Sequence, residues 1–151
     1  MRCKFWIIAS LLLFGLGSCK KEAKPETTSQ LLVGKWYFTN LVSVLSRNGV
    51  VLDTSRRTNF TNTDFVEYYT DGSGYYSKST SQGTSLTEFN YSISGNTITQ
   101  FSNAVSKGQP ETIKTINSNS LAIHAVSLVP DPNDPTLTDT EVDDYTFSRQ
   151  L

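Results

Sequence analysis

From Leu31 onward the chain consists of short stretches in which apolar and polar residues alternate, separated by turn sequences. Between Leu86 and Ser94, for example, Phe89, Tyr91 and Ile93 share one face and polar residues occupy the other. A period of two is typical of strands with one buried face. The pattern predicts eight or nine short strands and no long helix. The predicted fold class is therefore all-β, an antiparallel up-and-down meander that closes into a small barrel.

Turn residues set the limits of the predicted strands. Asn48-Gly49, Asp71-Gly72 and Gly95-Asn96 are signals for tight hairpins. The predicted strands cover residues 35–45, 50–52, 64–70, 74–80, 86–94, 97–101, 111–116, 121–129 and 143–149. The polar segment 53–61 and the segment 130–142, which is rich in proline and acidic residues, are predicted loops. Leu31 and Leu32 are predicted to form one short helical turn.

The N-terminus has a different apolar pattern. Arg2 and Lys4 precede an almost unbroken apolar run from Phe5 to Leu16, which is too short to span a bilayer. A basic head, a short apolar core and small residues at a cleavage site indicate a secretory signal peptide. The sequence Leu16-Gly17-Ser18-Cys19 resembles the bacterial lipobox. That resemblance implies cleavage before Cys19 and acylation of this cysteine with fatty acids such as palmitate.

These features divide the chain into three parts. Residues 1–18 are the predicted lipoprotein signal peptide, residues 19–30 the lipidated cysteine and a flexible polar tether, and residues 31–151 the barrel domain. Three acyl chains on Cys19 give durable membrane anchoring, whereas one chain is marginal. We therefore expect an exported protein attached to the cell envelope by its N-terminal lipid. Lys20, rather than an aspartate, follows the cysteine, and resemblance to related lipoproteins then implies the outer membrane.

Composition excludes several kinds of partner. Because Arg2 and Lys4 belong to the signal segment, the remainder keeps 11 of the 13 Lys and Arg residues against 14 Asp and Glu residues. This balance provides no basic face for a phosphate backbone, so we expect no nucleic-acid partner. Cys3 and Cys19 are the two cysteines of the chain. The predicted barrel domain therefore contains no disulfide and depends on packing and hydrogen bonds.

The sequence offers little catalytic chemistry. His124 is the single histidine, and its position opposite Leu121 and Ile123 predicts an outward side chain. Neither a zinc site nor a Ser/His/Asp triad is expected from such a composition. The acidic residues between 131 and 144 match no calcium-loop spacing, which favours a solvated loop. We expect no enzymatic activity, no catalytic residues, no metal and no cofactor.

A Gly-x-Trp motif, Gly34-Lys35-Trp36, begins the first predicted strand. Together with the Asp71-Gly72-x-Gly74 turn and with Arg149 at the end of the last strand, it resembles the lipocalin-like lipoproteins of Bacteroidetes-type bacteria. The resemblance implies a barrel whose end is closed by Arg149 packed over Trp36, a cation–π contact. Gly34 allows the backbone to bend sharply there. The chain lacks the disulfide positions and the C-terminal helix of classical lipocalins.

The aromatic residues bear on function, because they occur on most of the predicted strands. The interior of a small barrel is either filled by its own side chains or holds one small ligand. The candidate lining of an apolar mouth is Phe38, Phe89, Tyr91 and Phe147. The leading hypothesis is a membrane-anchored lipoprotein that binds a small hydrophobic or amphipathic ligand. The alternative is a filled, structural barrel that contacts an envelope protein through its long loops, 53–61 and 130–142.

Overall fold

The computed structural model describes residues 25–102 and 108–150. The signal peptide, Cys19 and the tether up to residue 24 lie outside the described residues. The described elements are α1 (Thr28–Leu32), β1 (Gly34–Arg47), β2 (Val50–Arg57), β3 (Phe65–Tyr68), β4 (Ser73–Thr80), β5 (Gly83–Ser94), β6 (Thr97–Phe101), β7 (Gln109–Ile116), β8 (Ser120–Pro130) and β9 (Thr138–Ser148). Within the described ranges, no helix has the length and apolar character needed to span a bilayer.

The strands form a single antiparallel sheet that closes on itself. From β3 to β9, each strand pairs with its neighbours in sequence. β1 pairs with β9 from Tyr37 to Ser46, and this pairing joins the two ends of the sheet. The result is an eight-stranded barrel of β1 and β3–β9, with β2 as an additional strand. The predicted all-β meander that closes into a small barrel is confirmed.

β1 exchanges partners along one of its edges. Its first residues, Gly34 to Tyr37, pair with β3, whereas Leu41 to Arg47 pair with β2. Because Tyr37 also pairs with β9 on the opposite edge, β2 and β3 must lie end to end along the same edge of β1. Seven residues, 58–64, connect β2 to β3. The corresponding stretch of β1, from Tyr37, which pairs with β3, to Leu41, which pairs with β2, is much shorter. The connection must therefore arch away from the wall of the barrel.

The core lies inside the barrel. Alternate residues of the strands point inward, and the largest fully buried side chains include Trp36 and Tyr68. Aromatic rings contact one another across the strands, for example Tyr68 against Phe89 at 5.6 Å and Tyr76 against Phe89 at 5.0 Å between ring centroids. The buried apolar residues are Leu32, Trp36, Val66, Tyr68, Phe89, Ile98, Ile113, Leu121, Ile123 and Phe147.

The short helix α1 packs at the closed end of the barrel. Thr27 caps it in a capping box with Gln30, which satisfies backbone donors of the first turn. Residues 28–30 are thus helical, a correction to the predicted tether, because local capping and the burial of Leu32 outweigh the polar composition. The helix leaves carbonyl groups without intrahelical partners at its C-terminal end. Two side chains of the barrel bind them.

Those two side chains are Trp36 and Arg149. The indole N–H of Trp36 donates to the Leu32 carbonyl at 2.7 Å. Arg149 donates to the carbonyl oxygens of Val33 at 2.9 Å and Leu31 at 2.5 Å. The guanidinium carbon of Arg149 also lies 3.8 Å from the centroid of the Trp36 ring. The cation–π contact that the sequence suggests is present, and the same arginine joins the chain after β9 to the residues that precede β1.

Gly34 makes this contact sterically possible. Its φ is +112°, a conformation that residues with a side chain rarely adopt. A Cβ at this position would also lie 2.3 Å from Nη1 of Arg149. Glycine is therefore required both for the bend and for the space that the guanidinium occupies.

Two loops predicted from the sequence are shorter than expected. β2 continues to Arg57, so only residues 58–64 of that region are irregular, and β9 begins at Thr138. Pairing with β1 sets the end of β2, whereas the first residues of β9, Thr138 and Asp139, pair with β8, and β9 pairs with β1 from Thr140 onward. Arg47 also donates to Asp139 at 2.6 Å and pairs with Asp131. This neutralises acidic residues that otherwise favour a solvated loop.

We predict that Arg149→Met lowers the free energy of unfolding by about 2 kcal/mol, from loss of the cation–π contact and of two hydrogen bonds. Thermal unfolding followed by circular dichroism measures the change, expected as a fall in Tm of roughly 8 °C. Arg149→Lys keeps the charge without the planar fork and should recover only part of the loss. Arg56→Met is the matched control, because Arg56 is exposed and donates to Asn40. Equal effects of Arg149→Met and Arg56→Met would contradict the prediction.

Candidate functional site

The interior of the barrel is hollow between β1, β4, β7, β8 and β9. A cavity of about 220 Å³ lies there, and its walls are predominantly apolar. The aromatic rings that line it come from several strands and from the connection between β2 and β3. The lining residues are Phe38, Leu41, Arg57, Phe60, Asp64, Tyr76, Ser77, Lys78, Glu111, Ile123, Tyr145 and Phe147.

The arch formed by residues 58–64 covers the cavity with an aromatic ring. Phe60 stacks on Phe38 of β1, with ring centroids 5.4 Å apart and an interplanar angle of 24°. The guanidinium carbon of Arg57 lies 4.4 Å from the centroid of the Phe60 ring. Phe60 therefore contacts both an aromatic residue of the wall and a cation, and its ring lines the cavity.

Asp64 fixes the end of this arch. Its carboxylate accepts hydrogen bonds from the backbone N–H groups of Thr61 at 2.8 Å and Ser79 at 2.9 Å, and from both hydroxyl groups. Arg57 lies 3.6 Å away as an ion-pair partner. Burial acts to raise the pKa of Asp64, but the hydrogen bonds from Ser79 and Thr61 outweigh it and hold the pKa below its ordinary value. The arch is thus tied to β4 by a buried, ionised carboxylate.

Glu111 of β7 brings a second carboxyl group to the cavity wall. Its Oε2 accepts a hydrogen bond from Nε2 of Gln100 at 2.9 Å. The Oε1 atom of Gln100 accepts a hydrogen bond from the Tyr76 hydroxyl at 2.8 Å. Burial raises the pKa of Glu111 to about 7, and the like charge of Asp143 adds to this rise against the opposing hydrogen bond from Gln100. A carboxyl group at an apolar wall is costly to ionise unless a cation accompanies it.

Asp143 lies in the same row of the sheet as Glu111. The register pairs Glu111 with Ala125, and Ala125 with Asp143. Two strand spacings, roughly 10 Å, therefore separate their backbones, and only a methyl group stands between them. Asp143 accepts hydrogen bonds from Ser43 and, at 2.9 Å, from the Tyr145 hydroxyl. This side of the interior is acidic.

Of the four residues predicted to line a mouth, two do so. Phe38 and Phe147 line the cavity, with ring centroids 4.6 Å apart. Phe89 and Tyr91 lie outside this cavity: Phe89 borders a separate pocket with Tyr76 and Glu111, and Tyr91 borders another beside α1. Gly74 lets the Phe89 ring settle directly against β4, since a Cβ there would lie 2.7 Å from the ring.

Tyr91 packs on Tyr68 at 5.0 Å between ring centroids and donates its hydroxyl to the Tyr69 carbonyl at 2.6 Å. Together with Phe89 it belongs to the filled side of the barrel. The interior is therefore filled where Tyr68, Phe89 and Tyr91 pack together and hollow between β1, β4 and β7–β9.

The other candidates for chemistry lie apart from the cavity. His124 pairs across the sheet with Asp144, and its Nδ1 lies 2.8 Å from a carboxylate oxygen of that residue. Among the acidic residues between 131 and 144, Asp131 and Asp139 both bind Arg47, whereas Asp143 and Asp144 bind other side chains. Across the described ranges, no three histidine, cysteine or acidic side chains are arranged to hold a metal ion.

Several lining residues were not singled out from the sequence. Phe60 is an isolated aromatic residue in a polar segment, and nothing local indicates that it turns inward. Glu111, in contrast, lies two positions before the buried Ile113. Alternation alone therefore places its carboxyl group on the inner face.

Neither a protein-family model nor a curated protein matches this sequence. The cavity and the N-terminal sequence are therefore the features that bear on function.

We predict that the stability of the protein depends on the ionisation of Glu111. A raised folded-state pKa means that its contribution to folding is present below its ordinary pKa and is lost as the pH rises through about 7. Glu111→Gln removes this loss. The Tm of the variant minus the Tm of the wild type should therefore increase as the pH rises from 4.5 to 8. Glu88→Gln, which removes an exposed carboxyl group, should follow the wild type. A constant difference between Glu111→Gln and wild type at all pH values would contradict the prediction.

Proposed function

We propose that this protein is an exported lipoprotein of the lipocalin-like type, anchored to the envelope through Cys19, whose barrel binds one small hydrophobic or amphipathic molecule. The outer membrane is the proposed location. Ligand binding, rather than catalysis, is the activity that the site supports best.

The cavity is the observation that carries this proposal. Its volume of about 220 Å³ is below the range of roughly 300–1,000 Å³ for drug-sized ligands. A compound the size of a benzene ring with a short substituent fits this space better than a long-chain lipid. Phe60 covers the cavity, and its loop is attached to β4 through Asp64 and through hydrogen bonds of Thr61 and Thr63 with Ser77 and Ser79. Such a loop can open without disturbing the closed end, which Trp36 and Arg149 hold.

We predict that Leu41→Trp abolishes binding, because the indole occupies the cavity that Leu41 lines. Leu128→Trp makes the same substitution on the outer face, where Leu128 is 73% exposed, and should bind as the wild type does. The probe is 2-phenylethanol, a small uncharged amphipathic compound. Binding is measured by saturation-transfer NMR on the full chain in phosphatidylcholine nanodiscs, with empty nanodiscs as the blank. Equal signals from all three proteins would show that the cavity does not take up the probe.

We predict that Cys19→Ser blocks lipidation and leaves an uncleaved precursor. Palmitate labelling of the wild type, its absence in Cys19→Ser, and the difference in mass together measure this step. Cys3→Ser is the matched control, because Cys3 lies within the signal segment, and it should be labelled normally. Normal processing and labelling of Cys19→Ser would overturn the anchoring part of the proposal.

Contact with an envelope protein is the second candidate function. The tip of the β1–β2 hairpin exposes Val50, Val51 and Leu52, which are 65%, 59% and 50% exposed. β2 pairs with β1 on one edge, and among the described residues no strand covers its other edge. Apolar side chains beside an open edge are typical of an interaction surface. Val51→Asp should abolish such an interaction and leave binding of 2-phenylethanol unchanged.

A further inference from the structure

The charged groups around the cavity are not evenly distributed, and their arrangement restricts the ligand. We propose that the ligand is a small organic cation, an ammonium group on an apolar or aromatic body, with the ammonium directed toward Glu111 and the body packed among the aromatic rings. This inference rests on the proposed binding function and names the chemical class of its ligand.

The inner wall of the cavity is acidic. Glu111 lines it, and Asp143 lies in the same row of the sheet with the small Ala125 between the two strands. Tyr76 and Tyr145 also line the cavity, and both lie close enough to Glu111 to experience its charge. A carboxylate beside aromatic rings is the arrangement that binds an ammonium group, through an ion pair and cation–π contacts.

The two cations of the cavity lie at its mouth. Arg57 already has a partner in Asp64 at 3.6 Å and stacks on Phe60. Lys78 is an exposed residue of β4. Neither is among the groups that shift the pKa of Glu111, whereas Asp143, of like charge, is. An anionic ligand group placed against Glu111 would meet its carboxyl group and the like charge of the neighbouring Asp143, so this part of the cavity selects against it.

An ammonium ligand would supply the cation that Glu111 needs in order to ionise. In its absence, burial favours the protonated form of Glu111, as the pKa of about 7 indicates. Binding of an ammonium ion should therefore release a proton below pH 7 and strengthen as the pH rises. The groups close to Glu111 are Tyr68 on β3, Tyr76 on β4, Gln100 on β6, and Asp143 and Tyr145 on β9. The other charged groups that line the same cavity are Arg57 of β2, Asp64 before β3 and Lys78 of β4.

Three probes of similar size test the proposal: 2-phenylethylammonium, 2-phenylethanol and 3-phenylpropionate. Calorimetric titration uses the full chain in phosphatidylcholine nanodiscs, with empty nanodiscs subtracted. We expect the ammonium compound to bind at least tenfold more tightly than the alcohol at pH 8, and the carboxylate to bind least. The affinity for the ammonium compound should rise on the order of tenfold from pH 5.5 to pH 8, while that for the alcohol stays constant.

Glu111→Gln keeps the shape and the contact with Gln100 but removes the charge. It should bind the ammonium compound no better than the alcohol and abolish the dependence on pH. Glu88→Gln, on the outer surface, should leave both unchanged. Binding of the alcohol that equals or exceeds that of the ammonium compound, or preferred binding of the carboxylate, would overturn the cationic class and leave the binding function standing. Absence of binding by all three probes would contradict the binding function itself.

Discussion

The structure depends on the way β1 shares its hydrogen bonds. One edge of this strand pairs with β9 and closes the barrel, while the other edge pairs first with β3 and then with β2. The connection between β2 and β3 contains seven residues, whereas only a few residues of β1 separate the positions at which it pairs with these two strands. The surplus forms the arch that carries Phe60 and ends at Asp64. Closure of the barrel and the covered opening of its cavity therefore have a common origin in one strand.

The two ends of the barrel are stabilised in different ways. At the closed end, Arg149 and Trp36 bind the terminal carbonyl groups of α1 and each other, and Gly34 leaves the space that this requires. At the other end, the buried carboxylate of Asp64 organises the arch through hydrogen bonds from two backbone amides, and Thr61 and Thr63 of the arch form further hydrogen bonds with Ser77 and Ser79. The arch is thus held to β4 by hydrogen bonds, whereas the closed end combines hydrogen bonds with a cation–π contact.

The electrostatics of the interior follow from burial and register. Asp64 receives enough hydrogen bonds to stay ionised, whereas Glu111 receives one from Gln100 and faces the like charge of Asp143. Two carboxyl groups in one small barrel therefore behave oppositely, one with a lowered pKa and one with a raised pKa. The first is suited to holding structure together. The second is suited to responding to a ligand that brings positive charge.

The sequence by itself determined the class of the fold, most of the strand order and the contact at the closed end. The fold class and the strand order depend on local signals, an alternation with a period of two and hairpin turns, whereas the contact of Arg149 with Trp36 was implied by the resemblance of the Gly34-Lys35-Trp36 motif. Only the tertiary structure decided that β2 and β9 extend through polar, acidic segments, because hydrogen bonds to β1 and β8 and the pairing of Arg47 with Asp139 outweigh local composition. It also decided that Phe38 and Phe147 face a cavity while Phe89 and Tyr91 fill the barrel. Alternation shows which face of a strand is inward, but the space in front of an inward side chain depends on residues from distant strands, such as Gly74, Ala125 and Phe60.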